Sequence, residues 1–449
     1  MTGRRDIADQ LSLVACHLSL VTVLALGLAG CGGGGKRPEA IRVWHWMTDR
    51  EEAFEELATR YNRTHTTPVR FELYAPSDLY VQKVRAAAQT DGLPDVFGVL
   101  GEMRDFASFA NAGHLLSLTE AMNADPPAWR TTFFPIALAM NTFESGNPYG
   151  AATGIYGVPI DVMNIQLFYN KRLLAKLGVD PAKPPATWAD WLVLGKQANA
   201  EGLIGLVSGW AELWLLDCFA TNYAVHLMGQ KRVEATFRGK VPYTDGGWIA
   251  VLELFEQLRD SQLLAEGIVT MINKRAEQLF ANEQAVFAFN GTWGVNVYRS
   301  MNPDLDYGVM MPPPIRPDRP MVTWGGAGSS FMVNANSPKA QEAVQFLQWL
   351  TAPEQQQYLL SATHNIPANQ VVASTLSGPL AQFVDDMGSV IHPRLFAVQE
   401  RATVLESFDK GLQSILIGEA TPSEVASAVQ EVKTREETRT RNHRNGLTN

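Results

Sequence analysis

Alternation of apolar and polar residues marks the first part of the chain as a series of short strands and helices. Read in order, the pattern predicts a strand at 41–46, a helix with an apolar stripe over 53–61, a strand at 69–73, a helix from Ser77 and a strand at 95–99. This order at this spacing predicts a parallel α/β unit. Ligands of such sheets lie beyond the carboxyl ends of the strands, so we expect ligand-contacting loops to begin at Trp46 and at Val99.

The rest of the chain follows a different pattern. Residues 170–284 are mostly of helical period, with Thr187 as an N-cap, and 285–289 form a continuous apolar strand that ends in Asn290-Gly291-Thr292-Trp293-Gly294. Trp324 and the glycines after it predict a turn ahead of a strand at 331–333. Residues 433–449 are polar and charged, which predicts a frayed tail.

The first 40 residues resemble an export and anchoring signal. Arg4 and Arg5 precede an apolar stretch over 18–28, and Leu28-Ala29-Gly30-Cys31 resembles the bacterial lipobox. We therefore expect a lipoprotein signal peptide at 1–30, lipidation at Cys31 and a glycine-rich flexible tether at 31–40. The alternative is an ordinary signal peptide with a chance cysteine. Membrane contact is then expected through this anchor only, because no later apolar run reaches the roughly 18 residues of a spanning helix.

Charge and cysteine content narrow the class of protein. Lysine and arginine total 37 against 46 acidic residues, a net charge of −9, which argues against a nucleic-acid partner. With 46% apolar residues the chain is of ordinary globular composition. Cys16 and Cys31 both lie in the leader region, so Cys218 is left without an internal disulfide partner. We expect it to be a buried, small apolar residue on a helix.

Motifs of familiar enzymes are missing from the sequence. It contains no G-x-x-x-x-G-K-[ST], H-E-x-x-H, C-x-x-C or G-x-S-x-G, and its eight histidines lack metal spacing. The sequence therefore predicts no cofactor, no metal site and no enzymatic activity. One alternative stays open, because a glycoside hydrolase needs two opposed carboxylates, and Asp49, Glu102, Asp161 and Glu212 could supply them.

Tryptophan is the most informative residue type, with 11 in the chain. Trp188, Trp191, Trp248 and Trp349 fall within helical stripes and are predicted to be core. Six others lie at strand ends or beside glycines, where a ligand can approach an aromatic face: Trp44, Trp46, Trp210, Trp214, Trp293 and Trp324. Sugar rings present apolar C–H faces and polar edges, which suit aromatic platforms with carboxylate, amide and arginine neighbours.

Seven ordered segments resemble one protein family. They are Val43 to Trp46, Leu93 to Val96, Tyr156 to Ile160, Gln166 to Lys171, Pro184 to Trp188, Phe287 to Trp293, and Trp324 to Gly326 with Phe331 to Val333. The chain is similar to extracellular solute-binding proteins of ABC sugar importers, the maltose- and glycerol-phosphate-binding type. That resemblance implies a two-lobe α/β fold with a hinge, an interlobe cleft that binds carbohydrate, and a monomer that delivers its ligand to ABC permease subunits with a cytoplasmic ATPase.

The resemblance also implies domain bounds and a site. One lobe would hold 41–160 plus 330–370 and the other 161–329 plus 371–435, followed by a polar tail at 436–449. The expected ligand contacts are Trp44, Trp46, Asp49, Glu102, Asp161, Asn164, Trp210, Glu212, Trp293, Trp324, Gly325 and Arg394. Met163 stands where maltose-binding members carry a carboxylate, which argues against maltose. The remaining alternatives are a phosphorylated polyol or a polyamine on the same scaffold, and an envelope lipoprotein without a ligand.

Overall fold

A mixed ten-stranded sheet forms the framework of the computed structural model, which describes residues 39–101, 103–124 and 127–446. Seven strands follow one another across it in the order β2-β1-β3-β10-β6-β8-β7, and β9, β11 and β12 pair at its sides. The strands of the described residues are β1 (Ile41–His45), β2 (Val69–Leu73), β3 (Val96–Phe97), β4 (Thr142–Phe143), β5 (Gly154–Ile155), β6 (Val158–Asn170), β7 (Ile204–Val207), β8 (Ala285–Gly291), β9 (Tyr307–Met310), β10 (Thr323–Val333), β11 (Ile366–Pro367) and β12 (Val390–Ile391).

Helices alternate with these strands along the described chain. They are α1 (Glu51–Thr64), α2 (Ser77–Gln89), α3 (Met103–Asn111), α4 (Thr119–Asn123), α5 (Pro135–Ala139), α6 (Lys171–Lys176), α7 (Trp188–Ala200), α8 (Leu213–Met228), α9 (Gln230–Phe237), α10 (Gly246–Asp260), α11 (Asn273–Ala281), α12 (Gly294–Met301), α13 (Ala340–Leu350), α14 (Pro353–Thr363), α15 (Gln370–Ala373), α16 (Pro379–Asp385), α17 (Ala402–Leu416) and α18 (Pro422–Gly446). Within the described ranges, none of these helices has both the length and the apolar character needed to cross a bilayer.

The predicted parallel α/β unit is confirmed at the start of the chain. β1 pairs in parallel with β2 and with β3, and α1 and α2 connect them. The apolar stripe of α1 is buried through Ala53, Phe54, Leu57 and Tyr61. Ahead of α1, Thr48–Arg50 form a 3₁₀ turn with no side-chain cap, and the Arg50 guanidinium donates to the Ser329 hydroxyl.

Two long strands, β6 and β10, join the halves of the sheet. The first half of β6 pairs with β10, and its second half, from Ile165, pairs with β8 and β9. β10 also pairs with β3 at its far end. The turn predicted at Trp324 is therefore wrong, since Thr323–Val333 is one continuous strand that is irregular between Ala327 and Ser330.

The interior follows the predicted core closely. Trp188, Trp191 and Trp248 are buried, and Cys218 is a buried free thiol on α8, as predicted. Trp349, also predicted to be core, is only partly buried and packs against the core from its edge. Residues 433–446, predicted to belong to a frayed tail, instead continue α18. Lys433 on that helix is 2% exposed and pairs with buried Glu400, and this contact fixes the helix to the rest of the molecule.

Candidate functional site

A cleft of about 740 Å³ opens at the carboxyl end of β1. Its walls come from the loop after β1, the middle of β6, the end of β8 and the irregular part of β10. The lining residues are Trp46, Met47, Thr48, Asp49, Arg50, Ala75, Pro76, Ser77, Asp161, Val162, Met163, Thr292, Trp293, Gly328, Ser329 and Asn365. The cleft thus begins at Trp46, where the α/β pattern predicts a ligand loop.

An ion pair forms the floor of the cleft. Arg50 pairs with Asp161, and its guanidinium also donates to the Ser329 hydroxyl over 3.1 Å. Ser329 in turn donates its backbone N–H to Asp161 over 2.5 Å. Burial acts to raise the pKa of Asp161, while Arg50 and Ser329 oppose that rise. Asp49 lies at the rim and accepts a hydrogen bond from Asn365 over 3.0 Å, which leaves part of its carboxylate open to solvent.

Trp293 forms one wall of the cleft directly after β8. Its indole hydrogen-bonds the buried carboxylate of Glu277, which also accepts from Asn273 over 2.9 Å and from Asn290 over 3.1 Å. Burial raises the pKa of Glu277, and these hydrogen bonds oppose that rise. Gly291 leaves the room that the ring occupies, because a Cβ there would lie 2.0 Å from the indole. The ring is therefore held in place from two sides.

A second tryptophan, Trp214, stands beside Trp293 at the start of α8. The two ring centroids lie 6.0 Å apart at an interplanar angle of 48°, and Trp214 is 45% exposed. The Glu212 carboxylate accepts from the Trp214 indole over 3.2 Å and from the Asn273 backbone N–H over 2.9 Å. Each indole is thus held by one glutamate, and Asn273 contacts both glutamates, which makes a preorganised aromatic platform.

A second cavity of about 440 Å³ lies behind Trp214. Trp324 stands at its edge and packs against His392, with ring centroids 4.2 Å apart. Burial lowers the pKa of His392 to about 3, so this ring is neutral. Arg104 and Arg394 also line the cavity. Arg104 belongs to the segment after Val99, which the α/β pattern assigned to ligand contact.

An acidic pair lies next to this cavity. Asp217 on α8 lines the cavity, and Asp409 on α17 is 7% exposed with an Oδ1 that has no hydrogen-bond partner. Burial, with Asp217 and Glu406 nearby, raises the pKa of Asp409 far above its ordinary value. At neutral pH one acid of the pair therefore keeps its proton.

The predicted ligand residues separate into groups. Trp46, Asp49, Asp161 and Trp293 line the cleft, and Trp324 and Arg394 line the second cavity. Glu212 supports the Trp214 ring rather than lining either space. Glu102 and Cys31 lie outside the described residues.

Four predicted contacts line neither the cleft nor the second cavity. Trp210 is fully buried against Phe219 and Phe255, and Trp44 donates its indole N–H to Glu72 over 2.9 Å. Asn164 is buried in β6 and donates to the Phe383 carbonyl over 2.8 Å. Gly325 pairs with Asn164 in the sheet, where an added Cβ would lie 2.4 Å from the Met163 carbonyl oxygen. In this structure these four residues therefore pack against neighbouring protein atoms.

Sequence reasoning also missed functional residues. The sequence gives no role to Arg50, whose guanidinium lines the cleft and pairs with Asp161. The sequence places Trp214 among the aromatic faces that a ligand can approach, but the contacts implied by the resemblance do not include it, and nothing in the sequence marks Glu277. For Trp214 a signal exists, since Glu212 two residues earlier is placed to hold its indole.

Known proteins of related sequence and structure agree on one family. The profile of the bacterial extracellular solute-binding proteins matches residues 56–384, well over half of the chain. A melibiose/raffinose/stachyose-binding protein of Bacillus subtilis is 21% identical over 362 residues, covering 76% of this chain and 78% of that protein. A maltooligosaccharide ABC transporter solute-binding lipoprotein of Streptococcus pneumoniae is 22% identical over 238 residues, covering 51% of this chain and 52% of that protein.

Solved structures extend this agreement to the fold. The complex of the solute-binding protein RafE with raffinose superposes with a TM-score of 0.69 at 17% identity, covering 88% of this chain and 98% of that chain. A chitin oligosaccharide binding protein superposes equally well, with a TM-score of 0.69 at 21% identity. The two-lobe α/β fold predicted from the sequence is therefore confirmed, and the chain belongs to the bacterial extracellular solute-binding protein family.

Proposed function

We propose that this protein captures an oligosaccharide in the cleft at Trp293 and Trp214 and delivers it to the permease of an ABC importer. The observation that carries the proposal is the pair of indoles 6.0 Å apart, each held by a glutamate, at the edge of a cleft of about 740 Å³. Two relatives of the chain are named for binding melibiose, raffinose and stachyose, and maltooligosaccharides. These names support a carbohydrate of more than one unit.

The chemistry of the cleft suits a neutral sugar. An indole face covers the C–H face of a pyranose, and neighbouring polar groups satisfy its hydroxyls. Arg50, Asp49 and Thr292 are such groups. The charge of Arg50 is matched by Asp161 and Asp49, which argues against a phosphorylated ligand as the main substrate.

Ligand contacts from both sides of the cleft would favour a closed state. In the bounds we propose, 41–160 plus 330–370 form one lobe and 161–329 plus 371–435 the other. The position of β6 and β10, which join the two halves of the sheet, supports a hinge there. Asp161 and Ser329 meet on those two strands beside the irregular register of β10. The closed form would be the one that the permease and its ATPase engage.

We further propose that Cys31 carries a lipid and that 31–40 tether a monomer to the outer face of a membrane. The lipobox-like Leu28-Ala29-Gly30-Cys31 supports this, as does the lipoprotein description of the Streptococcus relative. An extracytoplasmic location itself follows from the family.

A thermal-unfolding screen tests the binding proposal. Raffinose, stachyose, maltotriose and chitotriose are each added in excess, and one of them should raise the midpoint, because a ligand at 100 times its Kd stabilises the folded state by about 2.7 kcal/mol. The same samples are assayed for released reducing sugar, since turnover would favour the hydrolase alternative. The absence of any shift with all sugars would refute the proposal, and a shift with spermidine alone would favour the polyamine alternative.

A further inference from the structure

Both platform tryptophans depend on contacts made by one residue, Asn273. Trp214 donates its indole N–H to Glu212 over 3.2 Å, and the Trp293 indole hydrogen-bonds Glu277. The two glutamates belong to different segments, because Glu212 precedes α8 and Glu277 lies on α11. Asn273, the first residue of α11, contacts both carboxylates. The relative placement of the two indoles therefore depends on it.

The backbone of Asn273 fixes the Glu212 carboxylate. α11 begins at Asn273, and its N-cap residue, Ile272, makes no side-chain cap. Glu212 supplies the acceptor from outside the helix, since its Oε1 accepts from the Asn273 N–H over 2.9 Å. The open N–H groups and the dipole of a helix both favour a carboxylate at its N-terminus. The two segments also lie in close contact, because a Cβ at Gly209 would lie 2.5 Å from the Asn273 Cα.

The side chain of Asn273 fixes the Glu277 carboxylate. Its Nδ2 donates to Glu277 Oε1 over 2.9 Å and to Asn290 Oδ1 over 3.3 Å. Glu277 is 8% exposed, and an ionised carboxylate can only accept hydrogen bonds. Its other donors are Asn290, over 3.1 Å, and the Trp293 indole. Both amide N–H groups of Asn273 are therefore in use, and an ionised aspartate of the same shape would offer neither.

We propose that Asn273 is a positioning residue for ligand binding, because it donates to Glu277 through its amide and to Glu212 through its backbone and so keeps both indoles in place. The inference rests on the proposed carbohydrate function and deepens it. Asn273 lines neither the cleft nor the second cavity, so it acts on the sugar through the two tryptophans. The role requires a neutral hydrogen-bond donor between two carboxylates.

Asn273→Asp keeps the shape of the side chain and removes its donors. At pH 8 the introduced carboxylate would face Glu277 without a proton between them, and Glu212 would add to the repulsion. Carboxylates this close do not both ionise readily, so they share a proton as the pH falls, and that proton restores a hydrogen bond to Glu277. On α12, the Tyr298 hydroxyl also senses Glu277, but burial raises its pKa and keeps it neutral. The neighbour on β8, Asn290, does not titrate.

Calorimetry at two pH values tests the proposal with the sugar that gives the largest thermal shift. At pH 8, Asn273→Asp should bind that sugar at least about tenfold more weakly than the wild type, as the loss of a hydrogen bond to a charged group predicts. At pH 5 the variant should regain most of that loss. The wild type should not bind more tightly at pH 5, because Glu277 can only lose charge as the pH falls. Asn273→Ala, which introduces no titratable group, should bind about tenfold more weakly at both pH values.

Asn282→Asp is the matched control, since Asn282 is exposed at the other end of α11 and its substitution adds the same charge. This control should bind as the wild type does at both pH values. A loss in Asn273→Asp that is equal at both pH values would indicate a structural effect alone and overturn the proposal, as would normal binding by that variant. Either result leaves the proposed function standing.

A spectroscopic measurement tests the placement of the ring without any sugar. In fluorine NMR spectra of the protein labelled with 5-fluorotryptophan, the Trp293 signal is the one missing from Trp293→Phe. It should shift in Asn273→Asp at pH 8 and return toward the wild-type position at pH 5, and a signal that stays in place would overturn the proposal. Should that variant fail to fold, Asn273→Ala replaces it, with a shifted signal expected at both pH values. If no sugar binds the wild type, the proposed function fails, and this signal alone decides whether Asn273 positions the ring.

Discussion

Two tryptophans four residues apart should respond in opposite ways to truncation. Trp214 is 45% exposed at the platform, whereas Trp210 is fully buried between Phe219 and Phe255. The surface area of a tryptophan side chain is about 250 Å², so roughly 110 Å² of Trp214 is open to a ligand. Covering half of that area at roughly 25 cal/mol per Å² stabilises the complex by about 1.4 kcal/mol, and a favourable ring geometry adds about 0.5–1.5 kcal/mol.

Trp214→Ala should therefore weaken sugar binding by about 2–3 kcal/mol, or about 30- to 150-fold in Kd. Its free energy of unfolding should change by less than about 1 kcal/mol, since the ring is half exposed already. Trp210→Ala should instead lose about 3–5 kcal/mol of stability and, while folded, bind within a few fold of the wild type. Calorimetry with the best sugar and urea unfolding without it measure both quantities. If Trp214→Ala binds normally, or if Trp210→Ala loses affinity at unchanged stability, the assignment of platform and core is wrong.

Three further outcomes are expected. Cys31→Ser should move the protein from the membrane fraction to the soluble fraction, and membrane association that persists without fatty-acid labelling would contradict the anchor. Gly291→Ala should displace the Trp293 ring, because the added Cβ would lie 2.0 Å from the indole. This variant should weaken sugar binding at least about tenfold and lower the free energy of unfolding by about 1–3 kcal/mol. Gly246→Ala is the control and should not affect binding, because the space around Gly246 is open. Asp409 binds its proton more tightly in the folded state, so the free energy of unfolding of the wild type should fall as the pH rises above about 4. Asp409→Asn should flatten that fall and raise the free energy of unfolding at pH 8. If urea unfolding shows the same pH dependence for the wild type and the variant from pH 5 to 8, the raised pKa of Asp409 is refuted.

The elements near the start of the chain could be predicted because each carries its own period. The alternation at 41–46 and the stripe of α1 lie in short, contiguous segments, and their burial follows directly from that spacing. The strand β10 could not be predicted in full. Glycines at its start carry no apolar side chains, and they are tolerated there because Gly325 packs against the β6 backbone. Consecutive glycines are typical both of a turn and of a strand whose backbone packs closely on its neighbour, so the sequence does not distinguish the two at 325–328.

The site could be predicted by location but not by role. Trp46 and Trp293 follow strands, so topology alone brings them to the cleft. Trp210 follows β7 in the same way, yet it turns inward because the adjoining helix α8 buries Phe219 beside it. Phe255 on α10, about 45 residues later in the chain, packs on Trp210 as well. Whether a tryptophan after a strand faces ligand or core thus depends on how the surrounding helices pack, which no local pattern encodes.

The central position of β10 has a consequence for how the chain folds. β3 ends at Phe97, but its neighbour in the sheet, Met332, comes more than 200 residues later. Until β10 is available, β3 and the first half of β6 each have an unpaired edge in the middle of the molecule. Contacts this distant along the chain slow folding. A polypeptide that must cross a membrane before it folds gains from that delay, because its largest sheet cannot close until most of the chain has emerged.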